Sequence, residues 1–595
     1  MNMAVTYTGE AIFGKRLNLA DAKTLLALLD QSDVLEFCAL LNAVNQISAH
    51  QVGGYKTVKG ADLLNRLLAD LLHPVYHVRA WNIFRQSDPF HFSPLAGAAI
   101  NGLIGLACRW CPKEGGHKLV SVRYRQNVTR VLFALQDAMI NKEKMLKIGD
   151  PAGLRAAFPY LTRSVLANQT VSMTHDLGRL HAFVARPEVG AVLGRELKSA
   201  HPIDKWFIDS FGLPVSTYQR VMTAFAGYAA QFKAATPRSS HLWLTLNAFL
   251  DACAELRAGV QALLECAQTT PDRVASNVPE PLEMADAVYS VDHLLVYPLL
   301  RVGDYHLVTS FEAVFNKFIR GLPYLSDLMA RQKRGEADAF VVKAARSGFG
   351  YIFEGYSRWL ARQWFAGISV EVIEDYRIRL PGHKKRDDLA QRDLLFIHND
   401  VGYAIETKAK VPPLQARRTG DLEQVVQMVL PREEGDTIDR TGLIVQARTA
   451  AEALVAGAAF LSDKETQIRP LKRVFPIGLV FEHLPLRYPF TRPFEADVEQ
   501  FYGKRVFQDS GRVAPIQFFD ITDFEEWDEV FDMPSEGDAL LTTLQKRATT
   551  EELRYNRLTV ARGGRRANFS EKTGVVRSLA NESEHFVHKP CENHK

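Results

Sequence analysis

The chain has 595 residues, 47% hydrophobic and 24% charged, which excludes a wholly disordered, collagen-like or coiled-coil protein. Its 72 Lys+Arg against 68 Asp+Glu leave a formal net charge of only +4, so any basic surface must be local. The cysteines (Cys38, Cys108, Cys111, Cys253, Cys266 and Cys591) show no disulfide-framework spacing, which fits a reducing cytoplasm, and without a run of about 18 apolar residues no membrane span is expected.

Residues 1–17 have no apolar core behind their charges and do not read as a signal peptide. From about residue 16 to 268 apolar residues recur at helical spacing, most clearly in Asp21 to Leu29, Asp62 to Leu72, Val128 to Ala138, Tyr218 to Phe232 and Leu242 to Cys266. Two motifs in this helical region lack companions. Cys108-Arg109-Trp110-Cys111 is a lone CxxC without the two further ligands a tetrahedral zinc site needs. His175-Asp176, with His181 nearby, lacks the further His and Asp of an HD-type metal phosphohydrolase. The first is read as structural, the second as polar residues on a helix surface.

Gln268 to Met284 predicts a linker, because Pro271, Pro279 and Pro281 break helix. Leu294 to Arg301 and His306 to Val308 flank Val302-Gly303-Asp304 and predict a hairpin. Thr309, with Glu312 completing a capping box, predicts a helix to about Arg334. After that comes a helix from Tyr351 to Phe365, then a strand from Val370 to Leu380 and a basic loop from Pro381 to Arg392. Strand Asp393 to His398 turns at Asn399 to Gly402 into strand Tyr403 to Ala409. Helix Gly420 to Leu430, strand Thr441 to Ala447, helix Ala450 to Leu461, strands Arg473 to Glu482 and Pro515 to Asp520, and a helix from Asp523 complete the series. The expected fold is multi-domain: a large α-helical region (1–268), a connecting module (269–340), an α/β domain with a mixed sheet (341–540) and a basic, weakly ordered tail (541–595).

The chemistry concentrates in the hairpin around Asn399 to Gly402. A turn centred between Asp400 and Val401 places Asp393 opposite Lys408 and Leu395 opposite Glu406. Period-2 alternation then projects Asp393, Glu406 and Lys408 from one face. Two carboxylates among apolar residues are costly to desolvate unless a cation or mutual pairing compensates them. Oxygen ligands at a strand end suit Mg²⁺ (or Mn²⁺), which lowers the pKa of bound water and stabilises charge at phosphorus. The alternative is a solvated edge hairpin in which Lys408 simply pairs with Asp393 or Glu406. Glu196-Leu197-Lys198 has the same E-x-K spacing, but on an expected helix, where i and i+2 do not share a face.

Asp393-Leu-Leu-Phe-Ile, followed by Glu406-Thr407-Lys408 in the helix–strand–strand–strand–helix–strand order, resembles the restriction-endonuclease-like PD-(D/E)XK nuclease superfamily over roughly residues 340 to 530. The resemblance implies an αβββαβ core, metal binding by Asp393 and Glu406, and orientation or activation of the attacking water by Lys408. It also implies a further ligand from the preceding helix, for which Glu354 stands in place, and a supporting Gln, for which Gln424 or Gln427 fits. A glutamate in the first turn of a helix is also explained by the macrodipole, and Gln424 by a plain surface position. Arg392 stands where the family has Pro.

Between Arg377 and Arg418 ten bases face five acids, a local excess as large as that of the whole chain. Lys384, Lys385, Arg386, Lys410, Arg417 and Arg418 are candidate contacts to a phosphate backbone, or else a solvated charged loop. The tail from Lys546 to Arg566 is a second basic segment. The expected function is a Mg²⁺-dependent deoxyribonuclease, possible in a restriction or phage-defence system, with DNA as partner and RNA as the other candidate. The alternative is an inactive copy of the fold serving as a nucleic-acid-binding or scaffold subunit. No G-x-x-x-x-G-K-[ST] loop is present, so ATP hydrolysis, if used, would come from a partner subunit.

Overall fold

The structure is a computed structural model. It describes residues 9–49, 97–139, 173–190, 203–229, 242–289, 292–322, 339–365, 370–379, 389–409, 491–503, 506–526 and 544–546, most of 420–482, and a few isolated residues besides.

The N-terminal region is helical, as its periodicity predicts. Its helices include α1 (Gln31–Ala49), α2 (Gly97–Trp110), α3 (Val122–Met139), α4 (Met173–Ala185) and α5 (Val215–Ala229). Asp62 to Leu72 lies outside the described residues. Leu242 to Cys266 is not one helix. Trp243–Leu244 is a strand, β1, followed by helix Leu246–Ala252, a 3₁₀ turn at Ala254–Leu256 and helix Arg257–Glu265. β1 is held by pairing with a strand far along the chain, which local periodicity does not reveal.

Gln268 to Met284 is not a linker. Gln268–Thr269 forms β2, and Pro271–Asn277 is a helix. Thr270 Oγ1 accepts from the Arg273 N–H at 3.3 Å, and Pro271 takes the first helical position, where its missing N–H costs nothing. The hairpin forms from β3 (Leu299–Val302) and β4 (Tyr305–Val308) around Gly303, whose φ is 61°; Leu294 belongs instead to helix Asp292–Val296. These strands make a sheet of order β1-β4-β3-β2. The following helix is capped one residue later than expected. Ser310 Oγ accepts from the Ala313 N–H at 3.2 Å, while Thr309 Oγ1 donates to the Pro298 carbonyl.

The C-terminal half is built on a sheet of order β10-β5-β6-β7-β11-β12. Its strands are β5 (Glu371–Arg379), β6 (Leu389–His398), β7 (Val401–Lys408), β10 (Ala459–Phe460), β11 (Arg473–Val480) and β12 (Gln517–Asp520); β8 (Glu433–Glu434) and β9 (Thr437–Ile438) form a separate small ribbon. The pairs β5/β6 and β6/β7 are antiparallel, and β7/β11 and β11/β12 are parallel. β6 starts four residues earlier than expected, so Leu389 to Arg392 are strand and not loop.

Of the expected strand Thr441 to Ala447, the part described, from Gly442 on, is not a strand. It opens a helix, α7 (Leu443–Ala456), closed by Gly457 at φ 68°. The apolar run Leu-Ile-Val is ambiguous by itself, but buried Leu443, Ala447, Ala450 and Leu454 recur at helical spacing. The sheet's two faces then divide cleanly. Leu394, Phe396, Tyr403 and Ile405 pack toward the long helix α6 (Ala339–Trp364), and Ile373, Leu395, Ile397 and Ala404 pack toward α7.

The helical region and the sheet share one apolar core, continuous from Ile12 to Leu544. Phe183 of α4 meets Phe349 and Tyr356 of α6 edge-on, with centroids at 5.7 and 5.1 Å. Beside them lies a buried ionic cluster. Arg179 donates to both carboxylate oxygens of Glu525 at 2.6 Å and to Asp176 at 2.8 Å, and Tyr356 Oη donates to Glu525 at 2.8 Å. Asp176 is therefore no surface residue: it and Arg179 are 3% and 2% exposed. His181 is likewise buried, 2.8 Å from the Gln219 amide.

Candidate metal centre

The hairpin that carries the site has a different register from the one expected. β6 and β7 pair from Leu394↔Ile405 to His398↔Val401, a shift of two residues that brings Asp393 level with Glu406 rather than with Lys408. The turn explains it. Asn399 and Asp400 both have positive φ, 51° and 62°, as the favoured two-residue hairpin turn demands. Asn and Asp tolerate that region, whereas a β-branched Val401 does not.

A second irregularity sits next to the site. β5 and β6 pair at Glu374↔Leu394 and Tyr376↔Arg392, and between them Asp375 has φ 54°. The alternation of the strand breaks there: Ile373 and Tyr376, three residues apart, enter the same apolar cluster. Arg392 consequently faces α7, where its Nη2 donates to Thr449 Oγ1 at 3.2 Å and its Nε lies 3.5 Å from Glu406 Oε1. Asp393 turns the other way, its Oδ2 accepting from the Thr407 N–H at 2.7 Å and Oγ1 at 2.8 Å.

Glu354 is reached from α6. That helix begins at Ala339, not Tyr351, so Glu354 stands several turns inside it and the macrodipole explanation of its position falls. Its carboxylate is paired with Arg358 one turn on, and Arg358 is in turn gripped by both oxygens of Asp375 at 2.5 and 2.7 Å.

Electrostatics tie these groups together. Burial, and next the charge of Asp393, push the Glu354 carboxyl up to about 7, against the pull of Arg358 and Lys408. Burial and Asp393 also push Glu406 well above the usual carboxylate range, against Arg392 and Lys408. The charges of Asp393 and Lys408 act on both Glu354 and Glu406, but Glu406 lies with Arg392 on the α7 side and Asp393 turns away from it, so Asp393 and Glu406 do not project from one face as expected. Gln424 sits on the short helix Leu422–Val426, whose apolar side packs with Leu443, Val480, Val498 and Phe507. Gln427 is exposed and donates to Glu423. Lys384, Lys385, Arg386, Lys410, Arg417 and Arg418 lie outside the described residues, as does the tail beyond Lys546.

The donor set, three carboxylates of which Glu354 and Glu406 have raised proton affinity, has the chemistry of a hard-cation site. Glu406 Oε1 is buried and accepts no hydrogen bond, an orphan of the kind a cation would satisfy. No three acidic, His or Cys groups among the described residues stand ready-made around one point; Arg358 and Arg392 lie beside Glu354 and Glu406. Sequence reasoning passed over Arg358, Asp375, Thr407 and Thr449. Arg358 had a local signal, its i,i+4 spacing from Glu354; Asp375 and Thr449 had none.

The other motifs are structural. Cys38 of α1 lies within electrostatic range of Cys108 and Cys111, and burial raises all three thiols, Cys111 to about 12. Such thiols are unreactive. Gln31 Nε2 donates to the carbonyls of Ala107 and Cys108 at 3.2 Å, tying α1 to the end of α2.

No family model, no curated protein and no solved structure matches this chain.

Proposed function

We propose that this protein is a metal-dependent nuclease of the PD-(D/E)XK type acting on DNA. The observations that carry the reading are the mutual charge interaction of Glu354, Asp393, Glu406 and Lys408, on α6 and two paired strands, and the buried Glu406 Oε1 that accepts no hydrogen bond. The strand pairing β5-β6-β7-β11, antiparallel twice and then parallel, agrees with the αβββαβ order.

Asp393 and Glu406, with Glu354, would hold Mg²⁺ or Mn²⁺, which when bound supplies a water of lowered pKa and a counter-charge for phosphorus. Thr407 fixes one oxygen of Asp393, Oδ2, through two hydrogen bonds. Lys408, one residue beyond Thr407, would orient the attacking water and offset charge on the phosphate oxygens. The basic segments around residues 384–386 and 410–418 would contact the backbone independently of base sequence.

Plasmid cleavage with Mg²⁺ or Mn²⁺ tests this. Asp393→Ala, Glu406→Ala and Lys408→Ala are each expected to lower the rate by about 10²-fold or more with an unchanged far-UV spectrum. Wild-type protein that cleaves neither DNA nor RNA with any divalent metal would overturn the reading.

One observation favours a second reading, a catalytically silent scaffold. Arg358 and Arg392 already compensate Glu354 and Glu406, so the carboxylates need no metal to be tolerated. Metal titration separates the two, since a silent site shows no binding that depends on Asp393 and Glu406.

A further inference from the structure

The contact between Arg392 and Glu406 is unusual for a buried ion pair. Both side chains are nearly inaccessible, 6% and 2% exposed, yet their closest approach is 3.5 Å. Neither Arg392 Nε nor Glu406 Oε1 makes a hydrogen bond. Two buried opposite charges normally recover their desolvation cost through close, directed hydrogen bonds, and this pair forgoes them. The remaining donors of Arg392 are committed elsewhere, to neutral partners: Nη1 donates to the Gln391 carbonyl at 2.7 Å and Nη2 to Thr449 Oγ1 at 3.2 Å. The arginine is therefore held in place without Glu406.

Arg358 presents the contrast. Its two Nη groups are forked onto the carboxylate of Asp375, so its position is set by a second acid. Of the two arginines at the site, only Arg392 faces its glutamate through a contact that can be given up at the loss of no hydrogen bond.

We propose that Arg392 is an internal counter-ion for Glu406 which a divalent cation displaces, so that metal binding here is an exchange of one cation for another. The proposal rests on the reading of Glu406 as a metal ligand. Arg392 is a positioning residue: it offsets part of the cost of burying Glu406 and holds it in place in the metal-free protein, and it sets how tightly the site takes its ion. Once Glu406 turns to the cation, the guanidinium stays anchored by Gln391 and Thr449, a fixed positive group beside the metal that would favour an anionic phosphate over a neutral ligand.

Mn²⁺ binding to the full chain, followed by calorimetry and by electron paramagnetic resonance of free Mn²⁺ at pH 8, tests this without reference to cleavage. Arg392→Gln is expected to bind Mn²⁺ about tenfold more tightly than wild type, and to melt at a lower temperature without metal but gain more from its addition. Arg392→Lys, which keeps the charge and a similar volume, is expected to stay near wild-type affinity, and keeps the test open if the glutamine variant does not fold. Wild-type binding abolished by Glu406→Gln, with Arg392→Gln unchanged or weaker, would overturn the counter-ion role and leave the metal site standing. An Arg392→Lys variant that binds about tenfold more tightly than wild type would overturn the counter-ion role in the same way. No Mn²⁺ binding by wild type would overturn both.

Discussion

Burial and Asp393 hold the Glu354 carboxyl at about 7, and its side chain is only 18% exposed, so solvent screens the effect little. In the unfolded chain the same group loses its proton near 4.5. Between those values the folded state binds more protons than the unfolded one, so stability is greatest below about 4.5 and falls as pH rises to about 7. The loss attributable to Glu354 is at most about 3 kcal/mol, and the upward shift of Glu406 acts in the same direction. Urea melts of Glu354→Gln against wild type are expected to show a flatter pH dependence and a more stable variant above pH 7. An unchanged slope would mean that Glu354 is already ionised in the folded protein. Glu354 and Arg358 were findable from spacing alone, but the carboxylate's chemistry was not, since it depends on Asp393 and on a helix start twelve residues earlier than the pattern indicated.

The β6–β7 hairpin owes its register to two residues. Asn399 and Asp400 take positive φ, and the turn they form sets Asp393 level with Glu406. Asp400→Val is expected to destabilise the protein by about 1–2 kcal/mol, the cost of a β-branched residue in the left-handed region. Asp400→Gly should keep the fold, because glycine takes that backbone freely; chemical denaturation of both variants checks the pair. The expected turn centre erred by one residue because hydrophobic alternation is satisfied equally by registers two apart, and only the turn's dihedral demand chooses between them. Thr441 to Ala447 was misread for a related reason: a short β-branched run carries no period of its own. Its burial settles it as helix: Leu443, Ile444 and Ala447 pack at helical spacing into a cluster with Leu422, Val480 and Phe494.

Across the whole molecule, the expected boundary near residue 341 separates motifs but not cores. One apolar cluster includes residues of both parts, from Ile12 to Leu544, and Arg179 of α4 binds Glu525 on the helix after β12 while Tyr356 of α6 shares the same carboxylate. The pair is fully enclosed, with Arg179 2% and Glu525 0% exposed. Arg179→Leu would leave Glu525 buried without its cation, and is expected to cost about 3–5 kcal/mol, measured by denaturant unfolding. Tryptophan fluorescence and far-UV circular dichroism are expected to report one shared transition for the helical region and the sheet, since the core that joins them cannot open on one side alone. Two separate transitions would contradict this.

Part of this protein was legible in its residues: a largely helical first half, a later mixed sheet, and the β6–β7 hairpin that carries Asp393, Glu406 and Lys408. Those follow from local rules, helical and strand periodicity and the desolvation cost of charge on an apolar strand. Tertiary structure alone decided what surrounds them. Arg392 lies beside Glu406 where the neighbouring strand loses its alternation at Asp375, and Asp176 joins a buried ionic cluster that a helix near residue 525 returns to cover. Both depend on contacts between residues far apart in the chain, and a charge's partner across such a distance leaves no trace in its own stretch of sequence.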